Sequence, residues 1–208
     1  MHSTFKLLAM AGQQNRWTKT PSFFPESLSF HLYQTAQFAH CLAILENTLN
    51  EDENLDAGHI AVLALYHDAG EVISEDVNGL FKNISKNFKS KVSTCEEESN
   101  QILAKTLPEI LRPEFEKIFN QKTNIDEKTK HILKAADILS AFSKIQTEIL
   151  AGNQSYIRAY EFTLQELNFY KKELKSVSYF MEHFTPAFST HTEDIVGECL
   201  APLFNSEV

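Results

Sequence analysis

Between Glu26 and about Leu49, the apolar residues Leu28, Leu32, Phe38, Leu42 and Leu45 recur at helical spacing and predict an amphipathic helix. Upstream, Ser3 can cap a short helix running to about Gln13, and Pro21 and Pro25 mark a loop. After the acidic connection Asn50-Glu51-Asp52-Glu53-Asn54, Asp56 is placed to cap a helix through Ile60–Tyr66. That segment is apolar almost all round, which predicts a central, buried helix. From Ser74 to Phe88 the pattern fades into a polar stretch containing Gly79, read as an irregular loop with one short helix at most. Further helices are expected at about 90–107, 109–121, 125–151 and 154–174, with Pro108 and Pro113 breaking or beginning elements and Gly152-Asn153 ending one. Tyr179-Phe180-Met181 and Phe184 predict a final aromatic helix that packs onto the bundle. With no repeat, low-complexity tract or linker, residues 1–208 read as one all-α domain.

Composition agrees with this pattern. The chain of 208 residues is 43% hydrophobic and 23% charged, with only six Gly and six Pro, which argues against a sandwich of many short strands. The net charge of -9 leaves no basic stripe for a phosphate backbone, so polymeric nucleic acid is not the expected partner. A small phosphate ester remains compatible, because a metal and one or two local cations can hold it. The cysteines, at 41, 95 and 199, are odd in number and show no paired spacing, as in a cytoplasmic protein with reduced thiols. The apolar stretch near the start is too short for a signal peptide, and no run approaches the roughly 20 apolar residues of a membrane span. A soluble cytoplasmic protein is expected.

Four residues look out of place in a purely structural bundle. His31 shares a face with Leu28, Phe38, Leu42 and Leu45, whereas His40 falls about 180° away and reads as a surface histidine. His67-Asp68 directly follows the most apolar segment of the chain. Asp137 lies among Leu133, Ala135, Ala136, Ile138 and Ala141, where an isolated carboxylate would cost several kcal/mol unless paired or metal-bound. Singly, each has an ordinary explanation: a hydrogen-bonded core histidine, a cap, a lysine pair. Together, two imidazoles and two carboxylates make a mixed N/O shell suited to a divalent first-row metal with positions left open. Glu71 stands three residues after Asp68 and four after His67, so a continuing helix turn would place it on their side. A carboxylate there can shuttle protons for an activated water without being a ligand.

The pattern His31 … His67-Asp68 … Asp137 resembles that of the HD-domain metal phosphohydrolases. More narrowly, the chain is similar nearly from end to end to the YfbR-like 5'-deoxynucleotidases. The matching pieces are Asn15-Arg16-Trp17, Leu63–Val72, Lys134-Ala135-Ala136-Asp137, Ala151-Gly152-Asn153, and Tyr179-Phe180-Met181-Glu182 with Phe184, Pro186 and Phe188. The resemblance implies an all-helical homodimer that hydrolyses deoxyribonucleoside 5'-monophosphates with one divalent ion, Co, Mn, Mg or Zn. It implies His31, His67, Asp68 and Asp137 as metal ligands and Glu71 as the proton-handling group. Asp76 would support the attacking water or the leaving oxygen. Arg16 would meet the phosphate through its guanidinium fork, Trp17 would lie against the sugar, and Lys82 would assist in substrate binding. The sequence departs from the family in two places. Phe30 and Leu32 flank His31 where Glu and Ser are usual. Glu75-Asp76-Val77-Asn78-Gly79-Leu80 replaces a loop that usually reads Gly-Asp-Leu-Pro-Thr-Pro.

A dinuclear HD enzyme would need further histidines after the His-Asp pair. Residues 69–130 contain none, and His131 lies about 240° round the helix from Asp137, so one metal is expected. The alternative is a nucleotide-binding HD-domain protein that has lost turnover through the altered loop. A helical interaction module would leave the buried ionisable set without a purpose.

Overall fold

The computed structural model describes residues 1–75, 77, 82, 84–121 and 125–204, with side chains described as far as residue 201. Among these residues there is no β-strand, only an isolated antiparallel bridge between Asn15 and Ser27. The chain is all-α, as its apolar periodicity predicts.

Helix α1 (Thr4–Ala9) tightens into a 3-10 turn at Met10–Gly12; Ser3 precedes it but makes no side-chain cap. Helix α2 (Leu28–Leu49) begins where the Phe30 amide donates to Ser27 Oγ at 3.2 Å. Its buried positions, Leu28, His31, Leu32, Thr35, Ala39, Leu42, Ala43 and Glu46, follow the three-and-four spacing of one face. His40 is exposed, as expected. Helix α3 (Ala57–Leu65) is capped by Asp56, whose Oδ1 accepts the His59 amide at 2.8 Å. It is less central than its composition suggests. Ile60, Leu63 and Ala64 are buried, but Val62 and Leu65 are exposed, because one face packs on α2 while the opposite face is uncovered.

The chain does not continue as α-helix from Leu65. Residues 66–70 run through tight turns, with Tyr66, Ala69 and Glu71 amides donating to carbonyls three residues back, before α4 (Glu71–Ser74) resumes. The expected continuous turn from His67 to Glu71 is therefore replaced by a break that turns the chain between two short helices. Helix α5 (Lys86–Lys105) starts earlier than expected, because Ser85 Oγ accepts the Phe88 amide at 3.1 Å. Helix α6 (Arg112–Phe119) follows with Pro113 in its first turn. Asp126 caps α7 (Glu127–Leu150) by accepting from the Thr129 amide at 2.9 Å. The helix ends at Gly152, φ +90°, in a Schellman arrangement: Gly152 N donates to Ile149 O and Asn153 N to Glu148 O, both at 2.8 Å. Helices α8 (Ile157–Glu173) and α9 (Lys175–His183) follow, the latter being the predicted aromatic helix. Helix α10 (Thr192–Phe204) has no counterpart in the sequence reading.

Helix α2 packs against α3, α7 and α9, and α7 packs against α8. Two apolar clusters result. One joins Ala39, Leu42, Ile60, Ala64, Ile132, Leu139, Leu167 and Phe180; the other joins Ala11, Leu28, Leu32, Ala69, Val72, Leu103 and Phe119. The His67-Asp68 pair falls in sequence between Ala64 of the first cluster and Ala69 of the second, His31 between Leu28 and Leu32 of the second, and Asp137 between Ala136 and Ile138 of the first. The predicted site therefore lies along their seam.

A buried polar set pins the loop from Pro21 to Pro25. Glu148 accepts from the amides of Phe23 and Phe24 at 2.9 and 3.0 Å and from Asn153 Nδ2 at 2.8 Å, and it pairs with Lys144. Lys144 also donates to the Phe24 carbonyl, and the Tyr156 hydroxyl pairs with Ser22. Every buried group in this set finds a partner, which is the condition for such a network to stabilise a loop.

Candidate metal centre

Two helices, α2 and α7, and the turn after α3 bring His31, Asp137 and the His67-Asp68 pair together. His31 Nε2 lies 3.2 Å from Asp137 Oδ1 and 4.0 Å from Asp68 Oδ2; His67 Nε2 lies 3.1 Å from Asp68 Oδ2 and 3.9 Å from Asp137 Oδ1. Donor atoms of His31, His67 and Asp137 all fall within 4.8 Å of one another. The two imidazole rings stand 5.3 Å apart at 60°.

Both imidazoles are oriented from behind. His67 Nδ1 donates to the Ala64 carbonyl at 2.8 Å, a bond that only the Nδ1–H form can make. His31 Nδ1 lies 3.0 Å from Ser140 Oγ. Both Nε2 atoms are buried without a hydrogen-bond partner of good geometry, yet each faces carboxylate oxygens. The His31 lone pair and two carboxylates pointing at one space form an unfavourable arrangement by themselves and a fitting one around a cation.

The local electrostatics agree. Burial and the nearby Arg16 charge lower the His31 pKa to about 4, so its ring is neutral at physiological pH. Burial would lower His67 as well, but the Asp68 carboxylate, aided by Asp137 and the Ala64 carbonyl, raises it to about 9. Burial would raise both aspartates. The cationic form of His67 outweighs it at Asp68, and Lys134 with His31 outweighs it at Asp137, so both stay ionised well below the usual carboxylate range. Lys134 Nζ donates to Asp137 Oδ2 at 2.7 Å, leaving Oδ1 directed at the histidines.

One cavity borders the cluster, and a second borders Arg16 and Glu71. The larger, about 650 Å³, is bordered by His67, Asp68, Asp137, Asn100, Phe119 and Lys134. That is within the range of roughly 300–1,000 Å³ typical of small-molecule sites. The smaller, about 280 Å³, is bordered by Gln14, Arg16, Leu28 and Glu71. Glu71 is buried despite the helix break, and its carbonyl accepts from Gln14 Nε2 at 2.9 Å.

Arg16 Nη1 lies 3.8 Å from Asp68 Oδ2, and its Nε lies 3.5 Å from Glu26 Oε2. The same Glu26 oxygen accepts from Trp17 Nε1 at 2.9 Å. Burial raises the Glu26 pKa against the opposing pull of Arg16 and Trp17. Trp17 packs 5.2 Å from the Tyr156 ring and has φ +59°, a left-handed conformation uncommon for a bulky residue and held here by its neighbours. Lys82 pairs with Glu96 at 2.9 Å, on a side where Glu71 and Asp68 also act on its charge. Asp76 lies outside the described residues, as does most of the altered loop around it. His131 packs against Phe169 and Tyr170, away from the cluster. Sequence reasoning missed Glu26, Ser140 and Gln34, polar residues whose partners are set by packing between elements, and gave Lys134 no role although its partner Asp137 stands three residues on.

This arrangement sits on the fold of the HD-domain phosphohydrolases: a structure of that description from Listeria innocua superimposes with a TM-score of 0.79 at 19% identity, covering 100% of this chain and 99% of its own. A Pyrococcus horikoshii protein superimposes with a TM-score of 0.63 at 17% identity, covering 91% and 98% of the two chains. Residues 4–188 match the family described as 5'-deoxynucleotidase YfbR-like, and the chain belongs to that family. The 5'-deoxynucleotidase YfbR of Shigella boydii is 33% identical over 181 residues, 87% of this chain and 89% of the relative; its Escherichia coli counterparts match equally.

Proposed function

We propose that this protein is a metal-dependent nucleotidase that hydrolyses nucleoside 5'-monophosphates to nucleoside and phosphate and prefers deoxyribose. The observation that carries the reading is the pair of buried, partnerless Nε2 atoms of His31 and His67, oriented from behind and facing two ionised carboxylates beside a nucleotide-sized cavity. Membership of the YfbR-like family, with relatives named as 5'-deoxynucleotidases, supports the substrate class.

In this reading His31, His67, Asp68 and Asp137 hold one divalent ion, Co, Mn, Mg or Zn. Two neutral imidazoles and two carboxylates carry a net charge that such an ion balances. Bound there, it supplies Lewis acidity at the phosphate. Arg16 presents its remaining N–H groups to the phosphate oxygens, fixing the ester beside the cluster. Water attacks phosphorus and the bond to the 5'-oxygen breaks. Glu71 accepts the proton of the attacking water and returns it to the leaving 5'-oxygen. Asp76 is assigned to support of the attacking water or the leaving oxygen, and Lys82 to substrate binding. Trp17 lies against the sugar, where its apolar ring would leave a ribose 2'-hydroxyl unpaired. The whole chain acts as one cytoplasmic catalytic unit. Phe30 and Tyr33, exposed on α2, offer apolar surface for a homodimer.

The test is a screen of matched ribo- and deoxyribonucleoside monophosphates against Co²⁺, Mn²⁺, Mg²⁺ and Zn²⁺. The unpaired hydroxyl costs roughly 1–3 kcal/mol, which predicts a deoxyribose preference of about 5- to 150-fold. Trp17→Ala should narrow that preference, and Arg16→Ala should impair both sugars alike. Equal rates on the two sugars would refute the sugar assignment; no hydrolysis with any metal would refute the nucleotidase.

A further inference from the structure

Of the two imidazoles at the cluster, only His67 is oriented by the backbone. A carbonyl cannot donate, so the Ala64 oxygen leaves His67 no choice of which nitrogen faces it. His31 instead meets a serine hydroxyl, which can donate or accept, so Ser140 by itself fixes nothing. The deciding group is one step further back. Ser140 Oγ donates to Gln34 Oε1 at 2.9 Å, and an amide oxygen can only accept. The single Ser140 proton is thereby committed, and its oxygen must accept from His31 Nδ1–H. The other end of Gln34 is held as well: its Nε2 donates to Ser143 Oγ at 3.3 Å. Ser140 and Ser143 lie one turn apart on α7, and Gln34 lies one turn beyond His31 on α2, so the chain of bonds spans the packed interface of these helices.

We propose that Gln34 and Ser140 are positioning residues that hold His31 in its Nδ1–H tautomer and so keep its Nε2 lone pair available to a divalent ion. The proposal rests on the reading of His31 as a metal ligand. Were the Gln34 amide reversed, Ser140 would donate to His31 Nδ1, the proton would move to Nε2, and that nitrogen would be blocked. The Asp137 carboxylate, 3.2 Å from Nε2, favours this wrong form. Lys134, bonded to the other Asp137 oxygen, offsets part of that pull. The serine–glutamine relay supplies the rest, and it does so from buried positions: His31 and Ser140 are both 0% exposed.

The experiment reads the tautomer and the metal separately. In metal-free, ¹⁵N-labelled protein, long-range ¹H–¹⁵N correlation should show the His31 ring, assigned with a His31→Gln control, as the Nδ1–H form. Gln34→Leu frees the Ser140 hydroxyl to turn and should shift His31 towards Nε2–H. By calorimetry, Gln34→Leu and Ser140→Ala should each bind Co²⁺ about 10- to 100-fold more weakly than the wild type. Gln34→Glu, which restores an acceptor-only oxygen, should recover most of the affinity. A His31 ring in the Nε2–H form in the wild type, or Co²⁺ affinity unchanged in both Gln34→Leu and Ser140→Ala, would overturn the proposal. Absence of Co²⁺ binding by the wild type would instead overturn the metal reading, and the nitrogen spectrum would still decide the relay.

Discussion

In the proposed nucleotidase, Glu71 and His67 divide the proton chemistry between them. Glu71 is placed to move protons without holding the ion, so Glu71→Gln, which keeps shape and removes the base, should lower kcat by roughly 10²–10⁴-fold. Metal affinity measured on the same variant should stay near normal; near-normal turnover, or loss of the ion, would show the assignment to be wrong. His67 titrates against the metal instead. With its pKa raised to about 9, it is protonated at pH 7 in the metal-free protein, whereas His31, at about 4, is already neutral. An ion must therefore displace one proton, from His67. Apparent affinity should rise about tenfold per pH unit up to about pH 9 and then level off. Calorimetry in buffers of different ionisation enthalpy should count about one proton released per ion at pH 7, and a count near zero would contradict the raised pKa. His31, His67, Asp68 and Asp137 were legible as a set because ionisable residues beside apolar flanks violate the hydrophobic pattern. Glu26, Gln34 and Ser140 were not, because a lone Glu, Gln or Ser reads as ordinary surface until the fold shows what it touches.

Among the elements, caps and periodicity located most helices, and the failures have specific causes. The break after Leu65 is unmarked, since no Gly or Pro stands between Leu65 and Gly70. The residues after Ser85 are mostly polar, so the apolar pattern does not mark it as the start of α5. Helix α10 contains both Gly197 and Pro202, which argue against a helix on propensity alone. The buried Lys144–Glu148 pair shows what such elements do for the site. It anchors the loop that leads from Trp17 to Ser27, its two members standing one helical turn apart on α7. Glu148→Gln leaves Lys144 without its buried counter-charge and should cost roughly 3–5 kcal/mol in urea unfolding. It should also raise KM for nucleotides while sparing metal affinity, because Arg16 and Trp17 depend on that loop and His67 and Asp137 do not. Unchanged unfolding would mean that the pair is not needed.

At the scale of the molecule, the all-helical class followed from composition and pattern, and no helix among the described residues is long and apolar enough to cross a membrane. The way the cluster joins the two apolar halves was not legible, since it depends on which faces meet. Because the four proposed ligands come from three segments remote in sequence, an unfolded chain cannot present them together, and an ion that binds them binds the folded state alone. Chelation should then lower the midpoint of thermal unfolding, and resupply at about 100 times Kd should restore about 2.7 kcal/mol. A midpoint indifferent to metal would contradict this. The seam also gives the protein a dependence on supply: in a metal-starved cell the unfolded fraction would rise and with it exposure to proteases. The quantity of enzyme, as well as its turnover, would then follow the availability of its ion.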